Sequence, residues 1–130
     1  MKSLFLSAFI LFSFSALAQT QLISGDYGVS LRDRHGNLHH CTLEVLNLEA
    51  EETLRLTIQD CPPPVNNVPL YYSPEDKSYI SDKIYVTTRR GGYKMYEIVP
   101  LTSSSLEMIS YREYGDGQVG KPRRIKAKLK

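Results

Sequence analysis

Apolar and polar residues alternate along much of the chain. The last stretch shows this most clearly, because Ile125, Ala127 and Leu129 are separated by basic residues. The same period of two relates Leu54, Leu56 and Ile58, and also Ile23, Tyr27, Val29 and Leu31. Side chains two residues apart lie on the same face of a β-strand. The pattern therefore predicts strands with one buried face.

Turn-forming residues divide these segments into a succession of short strands. The predicted strands cover about 23–31, 39–49, 53–61, 79–88, 93–99, 105–114 and 119–129, with turns at 34–37, 91–92 and 115–117. About seven or eight strands at this spacing are typical of a small antiparallel barrel or sandwich. The last four predicted strands follow one another along the chain, so we expect them to form a meander. Pro62 to Pro69 is expected to be an extended, stiff connection, because proline donates no ladder hydrogen bond.

One segment also fits a helix. Leu43, Leu46 and Leu54 share a helical face, which suggests a helix over about 43–56. Cys41 and Cys61 argue against it, because an even cysteine count in an exported chain indicates a disulfide. A continuous helix would hold them about 30 Å apart, whereas a disulfide needs Cα atoms within about 7 Å. We therefore expect two strands that turn near 50–52.

In the first of these two strands, the apolar residues change from one face to the other. Leu43 and Val45 share one parity, whereas Leu46 and Leu48 share the other. An extra residue in one strand produces such a change of face. The sequence therefore predicts a β-bulge near Val45.

The N-terminus has the features of a secretory signal peptide. Lys2 gives a positive start, 4–14 form an apolar region, and Ala16-Leu17-Ala18 matches a cleavage site. The apolar region is too short and too interrupted by serines for a membrane span. We therefore predict cleavage of residues 1–18. Residues 19–130 would then form a single exported β-rich domain, periplasmic or secreted, with no membrane span.

The chain has a net charge of +2, but its charged residues are unevenly distributed. Residues 121–130 carry six basic residues and no acidic one, whereas 19–120 carry a net charge of −5. A mildly acidic body thus ends in a basic strand.

Tyrosine is the dominant aromatic residue, with nine copies and no tryptophan. Tyrosine offers a large contact area and a polar tip at a low cost in side-chain entropy. On the predicted strands, the candidate ligand-binding residues are Tyr79, Tyr85, Tyr96 and Tyr111. They suggest a surface or cavity mouth for a small apolar ligand or a protein partner. Half-exposed tyrosines on a barrel are the simpler interpretation.

Basic residues form a second constellation, at the hairpin tip and on the last strand. The candidates for binding an anionic partner are Arg89, Arg90, Lys94, Arg124, Lys126 and Lys128. Together they suggest contact with an anionic surface polymer. The alternative is structural, because lysines on a terminal strand also prevent edge-to-edge aggregation.

The sequence offers few residues that could bind a metal or carry out catalysis. His35, His39 and His40 could meet across a hairpin as metal ligands, although exposed hairpin residues explain them more simply. The hydrolase, zinc-protease and phosphate-loop motifs are missing, so we predict no catalytic residues and no cofactor. An enzyme is less expected than a binding protein.

The predicted functions therefore rank in order. The first is an exported, non-catalytic binding protein that uses its tyrosine-bearing strands. The second is an envelope-associated protein that binds an anionic partner through its basic hairpin and C-terminal strand. The third is a protein inhibitor, with Val65 to Val68 as a preorganised loop, or a small hydrolase.

Overall fold

The fold is built from β-strands alone. The computed structural model describes residues 21–32, 35–61, 64–87 and 89–130. The strands in these ranges are β1 (Gly25–Arg32), β2 (Leu38–Leu48), β3 (Thr53–Ile58), β4 (Val65–Ser73), β5 (Ser78–Ser81), β6 (Ile84–Tyr85), β7 (Tyr93–Thr102), β8 (Ser105–Glu113) and β9 (Arg123–Leu129). A single turn of 3-10 helix, Glu49–Glu51, joins β2 to β3, and the described ranges contain no α-helix.

Antiparallel pairing closes the sheet into a barrel. The strand order is β5-β4-β3-β2-β1-β9-β8-β7, and a further pairing joins β5 to β7. β6 is an extra strand that pairs with β7. The expected barrel or sandwich is thus a closed eight-stranded antiparallel barrel plus one strand. The predicted meander is confirmed, because each barrel strand pairs with the next along the chain.

One end of the barrel is filled by apolar side chains. Tyr27, Leu54, Leu70 and Leu106 are fully buried there. The segment before β1 crosses this end, where Leu22 is 1% exposed and the Ile23 amide donates to the Ser103 carbonyl over 2.9 Å. The interior is therefore closed at the end that holds the β2–β3, β4–β5 and β7–β8 turns.

The disulfide and the hairpin across it are as predicted. Cys41 and Cys61 are bonded, with Cα atoms 5.7 Å apart. Between them the chain forms β2 and β3 instead of a continuous helix. Both carboxylate oxygens of Asp60 accept hydrogen bonds from the Thr42 amide, at 3.0 and 3.1 Å. These contacts tie the end of the β3 segment back to β2.

The predicted bulge near Val45 is wrong. The register runs without a break from the Leu43–Ile58 pair to the Leu48–Thr53 pair. Val45 points inward and Leu46 is 50% exposed. β2 is paired on both sides, so its ladder hydrogen bonds keep the register while Leu46 faces outward. Register shifts lie instead between β3 and β4, at Leu56 and Ile58, and between β7 and β8, at Pro100 and Thr102.

The expected proline-rich connection is wrong for its second half, because Val65 already begins β4. Pro62 and Pro63 lie outside the described residues. Pro69 fits in β4 because of how the strand is oriented. The Tyr72 amide donates to the Glu52 carbonyl, on the β3 side. Amides alternate sides along a strand, so the nitrogen of Pro69 faces away from β3, where β5 does not reach.

Two other boundaries differ from the prediction. The expected strand over 79–88 is two strands, because the chain leaves the sheet at Asp82 and Lys83. Thr88 lies outside the described residues. The last strand begins at Arg123, and Val119 forms only an isolated bridge with Glu113. The inward faces of Ile125, Ala127 and Leu129 are as predicted.

The predicted signal peptide, 1–18, lies outside the described residues, and so does Arg34 of the predicted first turn. In the described ranges, no helix has the length and apolar character needed to cross a membrane. The disulfide is compatible with an exported protein.

Candidate functional site

The opposite end of the barrel contains a cavity. It lies beside the β1–β2, β3–β4, β6–β7 and β8–β9 connections and has a volume of about 460 Å³. Its inner wall is formed by inward-facing apolar side chains and the disulfide: Val29, Cys41, Leu43, Ile58, Cys61, Val65, Tyr96 and Ile125. Pockets of this size and character bind small molecules. We call this cavity the mouth.

Four basic side chains line the mouth: Lys94, Arg112, Lys121 and Arg123. Lys94 and Arg112 are directly opposite each other in the β7–β8 ladder. Like charges in opposed positions destabilise a sheet. Among the described residues that line the mouth there is no carboxylate to offset them. The mouth therefore joins an apolar wall to a positive rim.

Backbone carbonyls hold Arg112 in place. Its guanidinium donates to the carbonyls of Tyr93, at 3.2 Å, Gly91, at 2.7 Å, and Glu113. It also lies over the Tyr114 ring, 4.4 Å from the centroid, and Arg90 contacts the same ring at 3.8 Å. A guanidinium has five N–H donors, so these three hydrogen bonds leave two for a ligand.

Glycines bring the β6–β7 turn against the end of β8. Gly91 and Gly92 have φ angles of 60° and 81°, as the sequence predicts for a tight turn. A Cβ on Gly92 would lie 2.1 Å from the Glu113 carbonyl oxygen. Only glycine therefore permits this approach. It places the Gly91 carbonyl where Arg112 donates to it.

The environment of Lys94 disfavours its charge. Burial lowers the pKa of this ammonium, and the neighbouring Arg112 lowers it further. A carboxylate, sulfonate or phosphate between the two side chains would oppose both effects, because an opposite charge stabilises the protonated amine. The arrangement thus favours an anion at the rim.

The four candidate tyrosines do not share one surface. Tyr79 and Tyr96 face the barrel interior and are 7% and 5% exposed. Tyr85 is 78% exposed on β6. Tyr111 lies on the outer side of β8, where its hydroxyl donates to Glu97 over 2.6 Å, although part of its side chain reaches the mouth. Of the four, Tyr96 and Tyr111 line the mouth.

The candidate basic residues also separate. Lys94 lines the mouth, whereas Arg124 points outward and pairs with Glu107 at 3.0 Å. Lys126 and Lys128 line a groove on the outer face of β9, β1 and β2. Arg89 is exposed at the hairpin tip, and Arg90 contacts Tyr114. The six candidate residues therefore do not form one continuous surface.

The histidines show no metal centre in the described part of the chain, where no three histidine, cysteine, aspartate or glutamate side chains could hold an ion together. His40 is within 3.0 Å of the Ser30 hydroxyl. His35 and His39 also make contacts.

A second cavity, of about 420 Å³, lies on the outer side of β7 and β8. It includes the carboxylates of Asp76 and Glu97. Both carboxylates already accept hydrogen bonds from other residues of the protein. Glu97 accepts hydrogen bonds from the hydroxyls of Ser78, at 2.5 Å, and Tyr111. Asp76 accepts one from Ser73 at 2.9 Å. These contacts are structural, because they join β5 and its preceding turn to the neighbouring strands.

Three of the four basic mouth residues were not predicted: Arg112, Lys121 and Arg123. The alternation of inward and outward side chains along a strand would have identified two of them. Arg123 shares the inward parity of Ile125, and Arg112 shares that of Met108. A basic residue that continues a buried apolar face points into the barrel near its end.

Comparison of the chain with protein-family models, with characterised proteins and with solved structures gives no match.

Proposed function

We propose that this protein is a non-catalytic binding protein for a small amphipathic anion, held in the mouth of the barrel. One observation carries the proposal. Lys94 and Arg112 oppose each other at the rim of an apolar cavity whose described lining contains no carboxylate. The apolar part of the ligand would contact Val29, Ile58 and Ile125. Its anionic group would bind at the rim.

The energetics of charge and burial support a ligand with an anionic group at the rim and an apolar part against the wall. Like charges opposed in a ladder cost stability, and so does a half-buried ammonium without an anionic partner. An anionic group removes both costs, and it does so in a partly desolvated site where charge interactions are stronger than in water. The apolar wall adds about 25 cal/mol for each Å² of ligand surface removed from water.

The proposal refines the first of the predicted functions. The ligand lies inside the barrel end, with Tyr96 in the wall, instead of on a tyrosine surface of the strands. Export to the periplasm or beyond is part of the proposal, supported by the N-terminal sequence and the disulfide. A domain with one structural disulfide suits an oxidising compartment.

Calorimetric titration tests the proposal with three probes that share one alkyl chain: decanoate, decanol and decyltrimethylammonium. We expect decanoate to bind most tightly and the cationic probe to bind least. Binding of decanoate should weaken as the pH rises and Lys94 loses its proton. Equal affinity for all three probes, or no binding of decanoate, would contradict the proposal.

Arg123 and Arg124 provide a matched pair of variants, because they are neighbours on β9 and face opposite sides. Arg123 lines the mouth, and Arg124 is outside it. We expect Arg123→Gln to weaken decanoate binding about fivefold, as the loss of one partly screened charge pair predicts. Arg124→Gln should leave the affinity unchanged. Equal effects of the two variants would place the ligand elsewhere.

A further inference from the structure

The outer face of β9 has a charge pattern that the mouth does not explain. Lys126, Lys128 and Lys130 point outward there, one every second residue. Their Cα atoms are therefore about 7 Å apart along the strand. They line a groove of about 330 Å³ together with Gly28, Ser30 and His40. We call this surface the lysine groove.

Protection of a sheet edge does not explain Lys128. β9 pairs with β8 along Ser105 to Ser110, and it pairs with β1 at Tyr27 and Gly28. At Lys128 the strand is therefore paired on both sides and has no free edge to guard.

The protein itself leaves Lys126 and Lys128 without an anionic partner in the described part of the chain. Glu107 is the register partner of Lys126, but it forms an ion pair with Arg124. Lys130 differs, because its ammonium donates to the Thr42 hydroxyl and helps to lower the pKa of Asp60. Two adjacent outward lysines thus remain available.

The floor of the groove is formed by a glycine that the stem of Lys130 covers. Gly28 is the register partner of Lys128 on β1 and has no side chain. A Cβ at Gly28 would lie 3.1 Å from the Cε atom of Lys130, so the stem of that lysine lies over the glycine. Ser30 and His40, on the adjacent strands, add polar groups that can hydrogen-bond to hydroxyls.

We propose that the lysine groove binds a linear anionic polysaccharide. Lys126 and Lys128, with Cα atoms about 7 Å apart, suit a polymer that carries negative charges at intervals along its chain, and the hydroxyl and imidazole groups suit sugar hydroxyls. A single-stranded nucleic acid fits less well, because such sites use aromatic side chains on which bases stack. The described residues that line this groove include no phenylalanine, tyrosine or tryptophan.

The test uses fluorescence anisotropy with labelled heparin oligosaccharide and the whole chain. We expect binding at low salt that weakens as salt increases, because exposed charges are screened. Lys126→Gln with Lys128→Gln should weaken binding about tenfold, the sum expected for two exposed charge pairs. Arginine at both positions should preserve it, which separates loss of charge from loss of folding.

The matched control removes two exposed basic side chains elsewhere, with Lys77→Gln and Arg89→Gln. It should change heparin affinity less than about twofold, because exposed charges away from the groove contribute little to binding there. The proposal is overturned if heparin does not bind at low salt, or if the control loses as much affinity as the groove variant. Tighter binding of unlabelled oligothymidylate than of heparin overturns the polysaccharide assignment. Decanoate affinity should be the same in all these variants, so either proposal can fail alone.

Discussion

At the residue scale, two tyrosine hydroxyls show how the barrel uses polar groups near its core. Tyr27 is 0% exposed, and its hydroxyl donates to the Ile23 carbonyl over 2.6 Å. This contact joins the segment before β1 to the closed end. Tyr111 is on the outer side, where its hydroxyl donates to Glu97. Tyr27 therefore ties the segment before β1 to that strand, whereas Tyr111 links the neighbouring strands β8 and β7.

Tyr27 should contribute strongly to stability. We expect Tyr27→Phe to lower the free energy of unfolding by about 1 kcal/mol, because one buried hydrogen bond is lost. Tyr27→Ala should lower it by about 4 kcal/mol, since it also leaves a cavity. Urea denaturation measures both. Tyr85→Ala is the control, because Tyr85 is 78% exposed and should change stability by less than about 0.5 kcal/mol. An equal loss at Tyr85 would contradict this assignment.

Tyr111 predicts a pH dependence at alkaline pH. The hydrogen bond to Glu97, aided by burial, raises the pKa of Tyr111 from 10.0 to about 12. The neutral phenol is thus favoured in the folded state. Its contribution is complete below pH 10 and is lost as the pH rises towards 12.

Unfolding measured between pH 9 and pH 12 checks this expectation. Stability should fall less steeply with pH in Tyr111→Phe than in the unsubstituted protein. Burial also raises the pKa of Tyr27, Tyr79 and Tyr96, so part of the fall will remain. Tyr85→Phe serves as the control. Identical pH profiles for Tyr111→Phe and the unsubstituted protein would show that the Glu97 contact contributes nothing.

At the scale of elements, the sequence was informative wherever local pattern and covalent geometry agreed. The alternation of Leu54, Leu56 and Ile58 predicted β3, and the spacing of Cys41 and Cys61 excluded a helix. β4 was missed because Pro69 within it, and the prolines just before it, argued against a strand. Pro69 is tolerated only because its nitrogen faces a side of β4 that no strand covers there, and neighbouring pairs decide that.

The candidate site was harder to predict for a related reason. Whether Lys94 or Arg123 points into the barrel depends on the register of β7, β8 and β9 and on closure of the sheet. A basic residue gives no sign of this by itself. Parity with buried neighbours such as Ile125 does, but only when the fold is known to enclose an interior.

The disulfide supports the β2–β3 hairpin and the wall of the mouth. We expect replacement of Cys41 and Cys61 by alanine to lower the free energy of unfolding by about 3 kcal/mol, because the bond closes a loop with a sequence separation of 20. Chemical denaturation measures this loss. An unchanged stability would mean that the β2–β3 ladder alone holds the hairpin.

On the scale of the whole molecule, the barrel has two unlike ends. One is filled, with Leu22 and Tyr27 buried across it. The other carries the mouth, where Lys94 and Arg112 oppose each other. Eight strands enclose an interior that is either filled by side chains or holds one small ligand. In this barrel, side chains fill one end, and a cavity of about 460 Å³ lies at the other.

The location of a bound anion tests this interpretation most directly. Amide chemical shifts, measured by NMR during titration with decanoate, report which residues the ligand contacts. We expect the largest changes at Lys94–Tyr96, Ser110–Arg112 and Arg123–Ile125, around the mouth. Changes confined to Asp76, Ile80 and Val119 on the outer cavity, or no changes at all, would contradict it.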